Sequence, residues 1–228
     1  MKKLLHYIYN FIYVTFNWNL PLAIFVTWHE IKRGSKYNIN TIKPESLKDL
    51  TIPEGDISMS SPYEAVSYFI LENLLDNFRR LFPEEKSLLD VGCGKGRVMV
   101  AAAHYGFKNI TGVEFAKELY KAAEKNINKI KPQFPDTSFK IFCHDILNYR
   151  LDPDDKVFFL FNPFNKETME KFSEQVNRSA KEYPRTIYFI YASPKHLETL
   201  LEKGYEIVFK IKKLKWLEGV ILRKQTEQ

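Results

Sequence analysis

Four residues with a regular spacing dominate the centre of this sequence, namely Asp90, Gly92, Gly94 and Gly96. Glycine lets the backbone turn tightly and lets a ligand approach with no Cβ in the way. A dinucleotide-binding loop has the pattern Gly-x-Gly-x-x-Gly, but here Arg97 stands where the third glycine would be. A carboxylate just before the glycines repels phosphate and suits a cation. The spacing therefore predicts a loop that binds a positively charged ligand.

The elements around this loop must hold it in place. Residues 88–91 are apolar except for Asp90 and have the length of a buried parallel strand. Arg97 to Tyr105 then follow a helical pattern, and Gly106 ends it. Strand, glycine turn and helix together are the opening of a nucleotide-binding βαβ unit.

Two further strands end in acidic residues. Glu114 closes the predicted strand 109–114, and it lies 24 residues after Asp90. A carboxylate there can accept two hydrogen bonds from ribose hydroxyls, and the adjacent Phe115 can lie against a base. Asp145 follows the predicted strand 138–143 and precedes Ile146.

These motifs resemble those of class I S-adenosylmethionine-dependent methyltransferases. The resemblance implies that Asp90 helps to hold the amino-acid end of the cofactor, that Glu114 binds the ribose, and that Asp145 accepts from the adenine amine. It also implies cofactor contacts for the glycine loop and for two apolar neighbours, which together are Gly92, Cys93, Gly94, Gly96, Phe115 and Ile146. The order of elements after residue 60 is similar to the fold of that family. This fold is a doubly wound α/β structure with a mostly parallel, seven-stranded sheet and an antiparallel last strand.

The catalytic candidates follow the fourth strand, residues 157–161, which is apolar throughout and therefore central. Asn162 offers an amide oxygen to a substrate N–H, Pro163 leaves its carbonyl free, and Phe164 can wall the methyl channel. This segment resembles the Asn-Pro-Pro-Tyr type motif of amino-group methyltransferases, although Phe164 and Asn165 depart from it. A shorter match is to the protein lysine methyltransferases without a SET domain. The alternative is that Asn162 caps the next helix.

A helix start is predicted at Ser61-Pro62-Tyr63-Glu64, where Ser61 can cap, Pro62 suits the first turn and Glu64 completes a capping box. Since this helix leads into the glycine-motif strand, Tyr63 should lie near the cofactor. Tyr63 is therefore a candidate contact to cofactor or substrate. The alternative is that it only packs at the start of the helix.

The first 36 residues are unusual, because Leu4 to Trp28 contain no Asp, Glu, Lys or Arg. Asparagines and Pro21 interrupt this window, which predicts two short helices packed on the catalytic domain; peripheral membrane contact through residues 1–36 is the alternative. Residues 29–56 are polar and predict a connecting segment. We divide the chain into a helical, aromatic-rich extension, 1–59, and a methyltransferase domain, 60–228.

Composition sets the remaining limits. The 228 residues carry a formal charge of +6, and Cys93 and Cys143 are too few for a disulfide framework or a zinc site. We predict no metal and a cytoplasmic location, with membrane association as an option.

The predicted activity is methyl transfer from S-adenosylmethionine to a nitrogen of an unidentified protein, nucleic acid or small molecule. The alternatives are a cofactor-binding or membrane-peripheral protein without catalysis, and an NAD-dependent oxidoreductase. A closer resemblance is to a group of bacterial methyltransferases, through residues 92–97 and 161–164 and the segment near 33–37.

Overall fold

The computed structural model describes residues 2–41, residue 51 and residues 63–225. Within these residues, seven strands form one sheet in the order β3-β2-β1-β4-β5-β7-β6. The strands are β1 Ser87–Val91, β2 Asn109–Val113, β3 Ser138–Phe142, β4 Val157–Phe161, β5 Ile187–Ala192, β6 Glu206–Lys213 and β7 Leu217–Lys224. Strands β1 to β5 are parallel, and β7 is antiparallel to both of its neighbours. The predicted α/β fold with an antiparallel last strand is confirmed.

The sheet carries helices on both faces, and two N-terminal helices precede them. They are α1 Lys2–Asn17, α2 Leu20–Tyr37, α3 Tyr68–Leu81, α4 Arg97–His104, α5 Lys117–Ile130, α6 Lys166–Glu182 and α7 Leu197–Glu202. Buried side chains of α3, α4 and α5 share one core with the sheet, and those of α6 and α7 share the other. β4 lies between the two cores and buries Val157 to Leu160, as its unbroken apolar sequence predicts.

The helix start predicted at residues 61–64 is wrong as far as these residues are described. Ser61 and Pro62 lie outside the described residues, while Tyr63 and Glu64 precede the helix, which begins at Tyr68. Tertiary contacts explain the difference, because the Tyr63 hydroxyl donates to the carbonyl oxygen of Thr41 and the Val66 carbonyl accepts from Arg97. Residues 63–67 are thereby held outside the helix.

The N-terminal helices form a hairpin that breaks at Trp18 and Asn19, close to Pro21, which the sequence marked as an interruption. The Asn19 side chain caps α2 by accepting from the amide of Leu22 at 2.9 Å. Neither helix is short, and α2 runs on to Tyr37, so residues 29–37 are not part of a polar connection. The rest of that segment falls largely outside the described residues, as does the proposed domain boundary near residue 60, which stays a prediction. No helix in the described ranges has both the length and the apolarity to cross a bilayer.

Candidate active site

The candidate site lies where the order of strands reverses. β1 pairs with β2 on one side and with β4 on the other, so the connections that leave β1 and β4 diverge to opposite faces of the sheet. In the register, Val91 of β1 lies beside Val113 of β2 and Leu160 of β4. Because the carboxyl ends of these strands meet at one edge, a crevice opens there, which is the usual ligand site of this architecture.

The glycine loop adopts a conformation that other residues rarely take. Gly92, Gly94 and Gly96 all have positive φ, at 70°, 55° and 77°. A Cβ on Gly94 would lie 2.4 Å from the Tyr63 ring, and one on Gly92 would lie 3.1 Å from Cβ of Pro163. The loop is therefore a cradle that side chains would fill, and Tyr63 packs over it.

Two buried carboxylates face this loop. The Glu114 carboxylate accepts from the amides of Gly94 and Ala116, at 2.8 and 2.9 Å. Asp90 is 3% exposed, and its Oδ2 atom is buried without a hydrogen-bond partner among the described residues. An unpartnered buried carboxylate oxygen is costly unless a ligand completes the site.

The protonation of these carboxylates follows from their burial. Burial raises the pKa of Glu114 to about 7, although the amides of Ala116 and Gly94 oppose the shift. Burial also raises the pKa of Asp90 well above its usual range, and the neighbouring charge of Glu114 adds to this. Perturbed carboxylates in a crevice are typical of functional sites. Here they favour a ligand that supplies positive charge or hydrogen-bond donors.

Arg97 connects the loop to the N-terminal hairpin, which the sequence did not indicate. Its guanidinium donates to both carboxylate oxygens of Glu30 on α2, at 2.6 and 2.9 Å, and to the Thr41 hydroxyl at 2.7 Å. It also lies 4.1 Å from the centre of the Tyr68 ring. Burial alone would lower the pKa of Arg97, but the Glu30 charge outweighs it and raises that pKa. The hairpin is therefore tied to the first turn of the helix that follows the cradle.

The crevice holds a cavity of about 220 Å³. It is lined by most of the sequence candidates, which are Tyr63, Asp90, Gly92, Cys93, Gly94, Glu114, Phe115, Asn162 and Pro163. An adjoining cavity of about 60 Å³ shares Gly92, Phe115 and Pro163 with the first. Three of the four remaining candidates, Asp145, Ile146 and Phe164, line this smaller cavity. The two cavities thus form one crevice with two ends.

Not every candidate faces the crevice in the expected way. Gly96 lines neither cavity; it directly precedes α4 at the N-cap position, and a Cβ there would touch Ala123 on α5. Phe164 lies at the Asp145 end, with its ring 5.7 Å from that of Phe172, and not in the larger cavity that Asn162 lines. Asp145 accepts from the amide of Leu147 with one oxygen.

Asn162 has an unusual backbone for a residue with a side chain, with φ at +42°. Its Oδ1 atom is 3.4 Å from both the Tyr191 hydroxyl and the Lys195 amide. Burial raises the pKa of Tyr191 to about 12, so its hydroxyl stays protonated and donates. The alternative role of Asn162 as a helix cap is wrong, because Asn165 caps α6 by accepting from the Thr168 amide at 2.9 Å.

Among the lining residues that escaped the sequence reasoning are two cations. Arg97 and Lys195 both line the larger cavity. A signal for Arg97 existed, because a positive charge directly after the last glycine needs a counter-charge once the helix is buried. Lys195 follows a Ser-Pro turn after β5, and nothing local marks it. Within the described ranges, no group of three or more His, Cys, Asp or Glu side chains is arranged to hold a metal ion.

Comparison with known proteins agrees with this geometry. A family model described as a methyltransferase domain matches residues 88–183. A solved S-adenosylmethionine-dependent methyltransferase candidate from Methanococcus maripaludis superposes with a TM-score of 0.54 at 16% identity, covering 70% of this chain and 87% of its own. A candidate RNA methyltransferase from Pyrococcus horikoshii gives 0.52 at 20% identity, covering 78% and 93%. No curated protein matches the sequence.

The fold, together with this family match over less than half of the chain, supports a class I, Rossmann-like methyltransferase. The same findings support an enzyme that uses S-adenosylmethionine as its cofactor. The residues in the crevice fit that group, since the cavity of about 220 Å³ is lined by Gly92 and Gly94 and Asp90 has an unpartnered buried oxygen. The closer resemblance to one bacterial group stays a prediction.

Proposed function

We propose that this methyltransferase modifies a nitrogen, either the amine of a protein lysine or another amine. The observation that carries the proposal is the backbone of Asn162, which has φ at +42° where β4 enters the crevice. A residue with a side chain is kept in this conformation only when its surroundings hold it there, and such strain is concentrated at functional sites. An amide oxygen held at this point suits a substrate that carries N–H groups.

In this proposal, Asn162 and Pro163 orient the nitrogen. The two protein donors to Oδ1 are 3.4 Å away, which is close to the limit for a hydrogen bond. The oxygen therefore retains capacity for an N–H of the substrate. The Pro163 carbonyl offers a second acceptor, and the proline ring against Gly92 keeps it in place. Two acceptors on one amine orient its lone pair for bond formation, and orientation supplies most of the acceleration.

The cofactor-binding roles are also proposals. Asp90 and Glu114 would hold the amino-acid end and the ribose, Tyr63 and Phe115 would flank the cofactor, and Asp145 with Ile146 would bind the adenine at the other end of the crevice. When bound, S-adenosylmethionine would supply a methyl group on a sulfonium; the electron pair of the broken C–S bond would stay on sulfur while the nitrogen forms its bond to the methyl carbon. The nitrogen loses a proton to solvent, because neither Asn162 nor Pro163 is a base.

The test replaces Asn162 and compares the result with a matched position. Asn162→Ala should lower methyl transfer by about 100-fold while the cofactor Kd stays unchanged. Asn162→Gly relieves the backbone strain but also lacks the amide, so it should lose as much. Asn165→Ala is the control, because it removes a helix cap and about 1 kcal/mol of stability without touching the crevice.

The acceptor is identified by transfer of a tritiated methyl group to lysate fractions of protein, RNA and small molecules. The proposal expects the label in an N-methyl group, in amino-acid analysis for protein or in mass spectrometry for the other fractions. Label on oxygen or carbon, or full turnover in Asn162→Ala with bound cofactor, would contradict it.

A further inference from the structure

The N-terminal hairpin, α1 with α2, presents apolar side chains to solvent. On α1 the exposed residues recur on one face of the helix, at Leu4, Leu5, Ile8, Tyr9, Ile12, Tyr13 and Phe16. The last of these, Phe16, is 85% exposed. Soluble monomers rarely expose apolar patches larger than a few hundred Å², and larger ones mark interaction sites. This face is therefore a candidate interaction surface.

The second helix continues the exposed surface. After Trp18 at the tip of the hairpin, α2 exposes Leu20, Ile24, Trp28 and Ile31 at helical spacing. The other side of the hairpin is already occupied, because Val14, Leu22 and Ala23 are buried in the core that includes α3. We call the exposed residues of both helices, with Trp18, the apolar face of the hairpin.

Charge indicates what the apolar face binds. No acidic residue precedes Glu30 in the sequence, and Glu30 itself is buried against Arg97. The exposed cation Lys32 lies 4.7 Å from the centre of the Trp28 ring, at the edge of the face. The sequence places two more lysines at the first positions of α1, and the whole chain carries +6. The two helices themselves expose no carboxylate on the face, although the exposed Glu64, which precedes α3, accepts from the Tyr13 hydroxyl at 3.2 Å. With Lys32 and two further lysines in the sequence against this one carboxylate, the face is complementary to an anionic surface.

The aromatic residues point to the same partner. Tyrosine and tryptophan combine an apolar ring with a polar tip, and they favour the boundary between hydrocarbon and water. The face carries Tyr9, Tyr13, Trp18 and Trp28. A second copy of this chain would instead bring one apolar face against another and place like charges near Lys32 at the same edge.

We propose that the apolar face of the hairpin binds the surface of an anionic lipid bilayer, with both helices lying in the plane of the interface. Apolar residues enter the headgroup boundary while the opposite side stays packed on the protein. The Glu30–Arg97 pair then fixes the methyl-transfer crevice relative to the bilayer. This proposal does not depend on which atom accepts the methyl group.

The test is flotation of the full chain with vesicles of phosphatidylcholine, with and without phosphatidylglycerol. The wild type should float with the anionic vesicles. Ile8→Ser should weaken this binding by about tenfold, because burial of such a side chain contributes about 1.5 kcal/mol or more. Leu81→Ser is the matched control, since Ile8 and Leu81 are both 47% exposed but Leu81 lies on α3. It should bind as the wild type does.

The electrostatic part is tested with Lys32→Glu. This change should weaken binding to anionic vesicles at least fivefold and leave binding to phosphatidylcholine nearly unchanged. Lys125→Glu on α5 makes the same charge change away from the hairpin and should have little effect. Near-ultraviolet circular dichroism and cofactor binding verify that each variant folds.

Three results would overturn the proposal. The first is that the wild type does not float with anionic vesicles. The second is that Ile8→Ser and Leu81→Ser bind these vesicles equally well. The third is that the protein does not bind vesicles and light scattering shows a dimer that the Ile8→Ser substitution dissociates. In that case the face would join two copies of the chain.

Discussion

The ion pair between Glu30 and Arg97 allows a quantitative test of how the hairpin is attached. Both side chains are 4% exposed, and the guanidinium also donates to the Thr41 hydroxyl and the Val66 carbonyl. Glu30→Gln keeps the shape and removes the charge, so Arg97 is left buried without a counter-charge. Breaking a buried pair in this way costs about 3–5 kcal/mol. Because glutamine retains one hydrogen bond, we expect about 3 kcal/mol.

This loss is measured by urea unfolding and by thermal melting. For a chain of this size, about 3 kcal/mol corresponds to a fall in Tm of roughly 6–12 °C. Glu72→Gln is the control, because the partners Arg33 and Lys36 are 31% and 40% exposed and stay hydrated when the charge is lost. Glu72 is itself buried, but a glutamine oxygen there can still accept from the buried Tyr37 hydroxyl. That change should cost about 1 kcal/mol or less.

A double-mutant cycle tests whether the two charges are coupled. Glu30→Leu with Arg97→Met replaces the pair by apolar side chains of similar size, and such replacements are often close to neutral. The double variant should therefore be more stable than Glu30→Leu alone. The reasoning fails if Glu30→Gln costs as little as Glu72→Gln, or if the double variant loses the sum of the two single losses.

Two further predictions concern the crevice. The pKa of Glu114 is about 7, and the ionised carboxylate is the form that favours the cofactor. Cofactor affinity measured by calorimetry should therefore rise with pH and be about tenfold weaker at pH 6 than at pH 8. Glu114→Gln should flatten this profile, and a flat profile for the wild type would contradict the prediction. Gly94→Ala should abolish cofactor binding, because its Cβ would meet the Tyr63 ring at 2.4 Å, whereas Gly106→Ala, with nothing within 4 Å, should cost only about 1–2 kcal/mol of backbone strain. Equal cofactor affinity in the two alanine variants would refute the cradle.

The sequence by itself determined the architecture and the placement of the two carboxylates. Apolar runs of strand length, the glycine loop and helical periodicity are local signals, and the carboxyl ends of parallel strands meet at one edge whatever surrounds them. For this reason Asp90 and Glu114 could be assigned to one crevice before any coordinates were known, and the lining of the larger cavity includes both.

Only the tertiary structure decided which side chains pair across the chain. The capping signal before Tyr63 was overridden, because the contacts of Tyr63 with Thr41 and of Val66 with Arg97 hold that segment outside the helix. Arg97 meets Glu30 across 67 positions of sequence, and no periodic pattern encodes such a partner. The physical reason is that a buried charge needs its counter-charge in space, whereas a sequence pattern reports only on neighbours within a turn or a strand.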